Sequence, residues 1–181
     1  MLPTAPDRSV QSITGGVRQR DHVCSLDDSA GLGNNHSQPM IIAHADASVK
    51  QERIGIGFEL YQPSTSTAPG EDDINYTANV AINGEQEPER ITSEIAEYKA
   101  VVEAAKAAAL REEGFLVLAS DCKNVVEKIR RSEPVTEDNR LLQELHETLD
   151  NFESWRVKHV SRDYNTVAHK QARQAMMAAT F

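Results

Sequence analysis

Apolar residues early in the chain fall into two runs. Ile41-Ile42-Ala43 leads through His44 and Ala45 to a lone carboxylate, Asp46, and Ile54 to Tyr61 follows the polar stretch 48–53. The pattern predicts a buried strand that stops near Asp46 and turns back into a second strand. Tyr76, Ala78, Val80 and Ile82 alternate, predicting a third strand over about 75–82. The period then becomes helical. Ile95, Tyr98, Val101, Val102, Ala105, Ala108 and Ala109 predict a helix over 93–113, capped by Thr92 or Ser93 and ended by Gly114. Phe115 to Ala119 is a short continuous apolar run, expected of an interior strand covered on both faces. Val125, Val126 and Ile129 predict a helix over 122–131, broken by Pro134, and Leu141, Leu142, Leu145 and Leu149 predict another over 137–152. Trp155 to Val160 alternates as a last strand. Ala168, Ala172, Ala175, Met176 and Ala179 mark a final helix over 164–179, whose small residues suit close packing on a sheet.

The resulting order is three strands, a helix, a strand, two helices, a strand and a helix. Three opening strands form a meander, and helical crossovers deliver the later strands as parallel neighbours. The expected fold class is α/β, a mixed five-stranded sheet flanked by helices. Residues 1–39 hold no period and no aromatic residue, and are expected to be a flexible low-complexity tail. The folded domain is expected over 40–181, with a Ser/Thr/Pro/Gly/Asp-rich loop from Pro63 to Asp73.

Charge changes the picture in one respect. The chain has 181 residues, with 19 Lys plus Arg against 28 Asp plus Glu, a formal charge of −9. That balance argues against a nucleic-acid binder. Its distribution is uneven, however. Residues 71–97 are acidic, while 156–173 carry Arg156, Lys158, Arg162, Lys170 and Arg173 against Asp163, so one face can be positive. Two distant cysteines, Cys24 and Cys122, make neither a disulfide framework nor a zinc spacing, and a reducing compartment is the default. With neither a signal peptide nor a membrane-spanning run in view, the expected location is cytoplasmic, away from membranes.

The candidate chemistry lies in the carboxylates. An Asp after a strand most often only accepts hydrogen bonds from turn amides. Here Asp121 also ends a strand, and if the two strands are adjacent and parallel both acids emerge at one edge. Glu97 sits in the first turns of the long helix, beside its apolar stripe. Like charges so close cannot all stay ionised without a cation. Oxygen-only ligands suit Mg²⁺ or Mn²⁺.

With these acids, the element order resembles the ribonuclease H family, in its type 1 branch. Asp46-Ala47-Ser48 resembles the family's opening Asp followed by a small residue, and Thr92-Ser93-Glu94-Ile95-Ala96-Glu97-Tyr98 resembles its Thr-x-x-x-Ala-Glu-Tyr helix start. Asp121-Cys122-Lys123-Asn124-Val125-Val126 fits the end of the fourth strand, and His159-Val160 through Arg162 and Asn165 to Ala168 fits the last strand and helix. The resemblance implies a ribonuclease H-like fold and a metal-dependent endonuclease that hydrolyses the RNA strand of RNA–DNA hybrids with two ions. It assigns Asp46, Glu97, Asp121 and His169 to the metals and catalysis. Ala47, Ser48, Arg162, Asn165, Lys170 and Arg173 fall to the nucleic acid. It implies no organic cofactor, and a monomer is expected.

Two departures qualify this. His169 stands where the family places a fourth metal-binding Asp, which weakens the metal nearest the attacking water. Ala47 replaces the usual Gly, and the Gly-rich turn is shortened to Lys50-Gln51-Glu52-Arg53. The alternative is a catalytically weak or inactive relative that binds nucleic acid or protein. Other residues take plainer readings. His44 is a core or edge histidine more readily than a neighbour of the metal site. His146 belongs on a helix surface, His159 is structural, and Trp155 belongs to the core. Cys122 is expected as a buried inert thiol pointing away from Asp121, and Asp72-Asp73 as a solvated loop.

Overall fold

The computed structural model describes residues 40–50, 53–63, 76–83, 91–111, 114–134 and 140–178. The expected tail over 1–39 and the Asp72-Asp73 loop lie outside them.

The first apolar run continues past Asp46. Strand β1 (Met40–Lys50) pairs antiparallel with β2 (Arg53–Tyr61) in unbroken register from Ile42↔Tyr61 through Asp46↔Gly57 to Lys50↔Arg53. Pairing to β2 supplies the backbone partners, so the polar residues 48–50 extend the strand instead of ending it. Strand β3 (Tyr76–Asn83) pairs antiparallel with β2. Strand β4 (Phe115–Ser120) lies parallel to β1, and β5 (Ser154–His159) parallel to β4. The sheet order is β3-β2-β1-β4-β5, the expected meander with crossover strands added on the far side. As the strand at one edge, β3 leaves Tyr76 and Val80 exposed despite their alternation.

One layer of helices comprises α1 (Ser93–Ala109), α2 (Lys123–Arg130) and α3 (Arg140–Leu149). Thr92 caps α1, its Oγ1 accepting from the Ile95 amide at 3.2 Å. Helix α1 ends at Ala109, before the expected Gly114. The carbonyl of Gly114 instead accepts from the amides of Glu153 and Ser154, tying it to the start of β5. The core lies under this layer. Ile54, Ile56, Phe58 and Leu60 from β2 join Ile41, Ala43, Leu116 and Leu118 against Tyr98, Val101, Val102, Leu142 and Leu145. Trp155 packs against that cluster as expected, and His146 lies edge-on to it at 6.5 Å, so His146 is half-buried rather than on the surface.

The opposite face is built differently. Helix α4 (Thr166–Ala178) follows a single 3-10 turn, Arg162–Tyr164. It presents Ala168, Ala172 and Ala175 to the sheet, and β2 answers with glycines. A Cβ on Gly55 would sit 2.0 Å from the Ala172 carbonyl oxygen, and one on Gly57 2.2 Å from that of Ala168. The helix backbone therefore rests almost directly on the strand. No described helix is long and apolar enough to cross a membrane.

Candidate metal centre

Strand lengths open the site. Strand β4 stops at Ser120, opposite Ala45, while β1 runs on, so beyond Ala45 that edge of β1 has no described strand beside it. The freed amide of Ala47 donates to Glu97 Oε2 at 3.2 Å, which brings the α1 carboxylate to the strand edge. At the same level the chain leaves β4. The buried Ser120 hydroxyl accepts from the Cys122 amide at 3.1 Å, a local turn that aims Asp121 at the same point. Side chains alternate along β1, so Asp46 faces α4. There its Oδ2 accepts from His169 Nδ1 at 2.8 Å.

Asp46, Glu97 and Asp121 are thus pooled. A carboxylate oxygen from each lies within 4.8 Å of the others. They line a cavity of about 360 Å³ together with Ala47, Ser48, Val49, Ser93, Cys122, Arg162 and His169. Burial and crowding leave their mark on the acids. Asp46 is pushed up to about 6, chiefly by burial, with the Asp121 charge adding to it and the His169 hydrogen bond opposing. Glu97 is pushed up to about 8 by burial and then by the charges of Asp46 and Asp121. Such a group of oxygen donors, short of positive charge, fits a hard divalent cation. His169 joins through Asp46 and lies outside the three-acid group itself.

Arg162 Nη2 lies 3.2 Å from each ring nitrogen of His169. With the Nδ1 proton directed to Asp46, Nε2 can accept from Arg162, and the guanidinium also draws Glu97 toward its charged form. Lys170 and Arg173 stand exposed on α4, outside the cavity lining. Asn165 departs from expectation. It is 1% exposed, and its Nδ2 donates to the Ala45 carbonyl at 2.9 Å and to Asp121 Oδ1 at 3.0 Å. Both amide hydrogens are used inside the protein, so Asn165 holds the acid in place rather than reaching for a ligand. Cys122 also departs: it is half-buried and lines the cavity, its thiol pushed up by burial. Ser93 and Val49 were not foreseen in the lining, although Ser93 opens the helix that carries Glu97. His44 packs edge-on against Tyr61 at 5.5 Å, and burial pushes it down. His159 is exposed, with Nε2 3.3 Å from the Asp121 carbonyl oxygen.

Known proteins with this architecture agree on its class. The ribonuclease H1 of the halophilic archaeon Halobacterium salinarum NRC-1 superposes with a TM-score of 0.62 at 22% identity, covering 77% of this chain and 99% of its own. The N-terminal ribonuclease H domain of Rv2228c from Mycobacterium tuberculosis gives 0.63 at 22% identity, covering 77% and 95%. LC11-RNase H1, solved in complex with an RNA/DNA hybrid, gives 0.59 at 15% identity, covering 76% and 96%. No curated protein matches at the level of sequence. The model of the reverse transcriptase-like family matches residues 75–175, which takes in Glu97, Asp121 and His169. The chain belongs to that family, and its fold is the one shared by type 1 ribonucleases H.

Proposed function

We propose that the protein is a metal-dependent endonuclease that hydrolyses the RNA strand of RNA–DNA hybrids. The observation that carries this reading is the pooling of Asp46, Glu97 and Asp121, acids from three separate elements, in one cavity at the end of the sheet. The hybrid bound by the similar LC11 enzyme supports the choice of substrate.

Asp46, Glu97 and Asp121, with His169 beside them, would hold the metal. Two Mg²⁺ or Mn²⁺ ions bound there would supply Lewis-acid charge to the scissile phosphate and its attacking water. Glu97, bonded to the Ala47 amide, is placed to meet a 2′-hydroxyl, the group that separates RNA from DNA. Ala47 and Ser48 flank the strand at that point. Arg162 orients His169 and offers its remaining N–H groups to a phosphate, and Lys170 and Arg173 add sequence-independent attraction. Asn165 keeps Asp121 and β1 at a fixed separation.

A second reading, a weakly active or inactive binding module, draws on the same site. His169 and Arg162 already place positive character against Asp46, where a fourth carboxylate would have drawn a metal. A labelled hybrid separates the two. The nuclease reading expects RNA-strand cleavage with Mg²⁺ or Mn²⁺, and a loss of at least about 10³-fold in Asp46→Asn, since metal-borne charge stabilisation is worth several kcal/mol. Folded protein that binds the hybrid without cutting it in either metal leaves the binding module standing.

A further inference from the structure

Lys50 and Arg53 face one another as the last register pair of the β1–β2 hairpin. Both are exposed, and neither has an acidic partner among the described residues. Like charges directly opposite in an antiparallel pair repel and weaken the hairpin. Glu52 stands between them in sequence, outside the described residues, and one carboxylate cannot neutralise both cations. The pair leaves positive charge for an anion from outside.

Its position suggests which anion. Side chains alternate along β1, so Asp46, Ser48 and Lys50 share the face turned toward α4. Ser48 already touches that helix, its Oγ 3.3 Å from Met176 Sδ. At about 3.3 Å per residue, Lys50 lies about 13 Å along the strand from Asp46. That is roughly four base steps along a duplex axis at about 3.4 Å each. Arg173 is exposed on α4, one helical turn beyond His169 and on the same side of the helix. Cations therefore stand at Arg162 in the cavity, at Arg173 on α4 and at the hairpin tip.

We propose that Lys50 and Arg53 form a clamp on the phosphodiester backbone of a nucleic acid, gripping it about four steps from the acid cavity. This rests on the nuclease reading above and adds to it a fixed path for the substrate. A phosphate between the two side chains relieves the repulsion between them. The contact is blind to sequence and sensitive to salt.

The test is binding of a fluorescent RNA–DNA hybrid in EDTA, which leaves the substrate intact, across a salt series. The Lys50→Gln, Arg53→Gln double variant is expected to lower the slope of log K against log salt by about 1.4–1.8. At 0.1 M salt its affinity is expected to fall on the order of 30-fold. The exchanged variant Lys50→Arg, Arg53→Lys keeps both charges and should keep the wild-type slope. The glutamine variant should melt no lower than wild type, because it removes a repulsion. Wild-type binding with an unchanged slope and affinity in the glutamine variant overturns the clamp alone. A glutamine variant that melts well below wild type also overturns it, since the pair would then hold the hairpin. Wild-type protein that binds no hybrid in EDTA and cuts none with Mg²⁺ or Mn²⁺ would instead sink the nuclease reading itself.

Discussion

Toward α1, strand β2 presents Ile54, Ile56, Phe58 and Leu60; toward α4 the same strand presents Gly55 and Gly57. The first set fills a core with large aliphatic and aromatic side chains. The second contributes no side chain at all and lets a helix backbone come to rest on the strand. Both faces supply the acid cavity, Glu97 from the α1 layer and His169 from the α4 layer. The difference teaches that stability and placement are divided between them. The α1 face buries the apolar area that drives folding. The α4 face is a fitted contact in which a small displacement moves His169 relative to Asp46.

The sharpest way to break this comparison is to substitute one residue on each face. Leu118→Ala removes a fully buried side chain of the α1 core and is expected to lower stability by about 2–5 kcal/mol in urea unfolding. Cleavage of the hybrid by the protein that remains folded should be little changed. Gly57→Ala drives a methyl group into the α4 backbone, 2.2 Å from both the Ala168 carbonyl oxygen and the Ala172 amide nitrogen. It should lower stability by a smaller amount, about 1–3 kcal/mol. Its effect on cleavage should be the larger, because α4 must lift and take His169 with it. If the two variants lose activity in proportion to stability, the division is wrong.

A smaller effect concerns pH. In the metal-free protein Glu97 holds its proton to about pH 8 and Asp46 to about pH 6. In the unfolded chain both lose their protons near pH 4 to 4.5. Between those limits the unfolded state binds fewer protons, so stability falls as pH rises. The thermal midpoint in EDTA should therefore drop from pH 5 to pH 8. Saturating Mn²⁺ should flatten that decline by supplying the positive charge that the protons had supplied. A midpoint that rises with pH in EDTA would contradict the buried-acid account.

Much of this was legible from residue patterns. The element order, the opening meander and the parallel sense of the later strands follow from periodicity. The adjacency of β1 and β4 enters only as the condition for Asp46 and Asp121 to meet, and the choice of Glu97 rests on the family resemblance. What escaped depends on relations between elements. Nothing local to Asp46 tells that β1 outlasts β4, because the extra residues are paired by β2. By its place in the family pattern Asn165 reads as a ligand-binding amide. Its burial is set by the turn that carries it beneath the ends of two strands. Nothing within the apolar strand marks Gly55 and Gly57, since their purpose lies in a helix more than a hundred residues later. Cys122 lines the cavity because it directly follows Asp121, before the eight-residue helix α2 begins.

The most direct test is a Mn²⁺ titration of the folded protein by calorimetry at pH 7, repeated in buffers of different ionisation enthalpy. Three acids gathered in one cavity, with Glu97 protonated, should take up Mn²⁺ saturably and release about one proton as they do so. Asp46→Asn should abolish the uptake, and Glu97→Gln the proton release. A folded wild-type protein that binds no Mn²⁺, or binds it equally well after Asp46→Asn, would contradict the account.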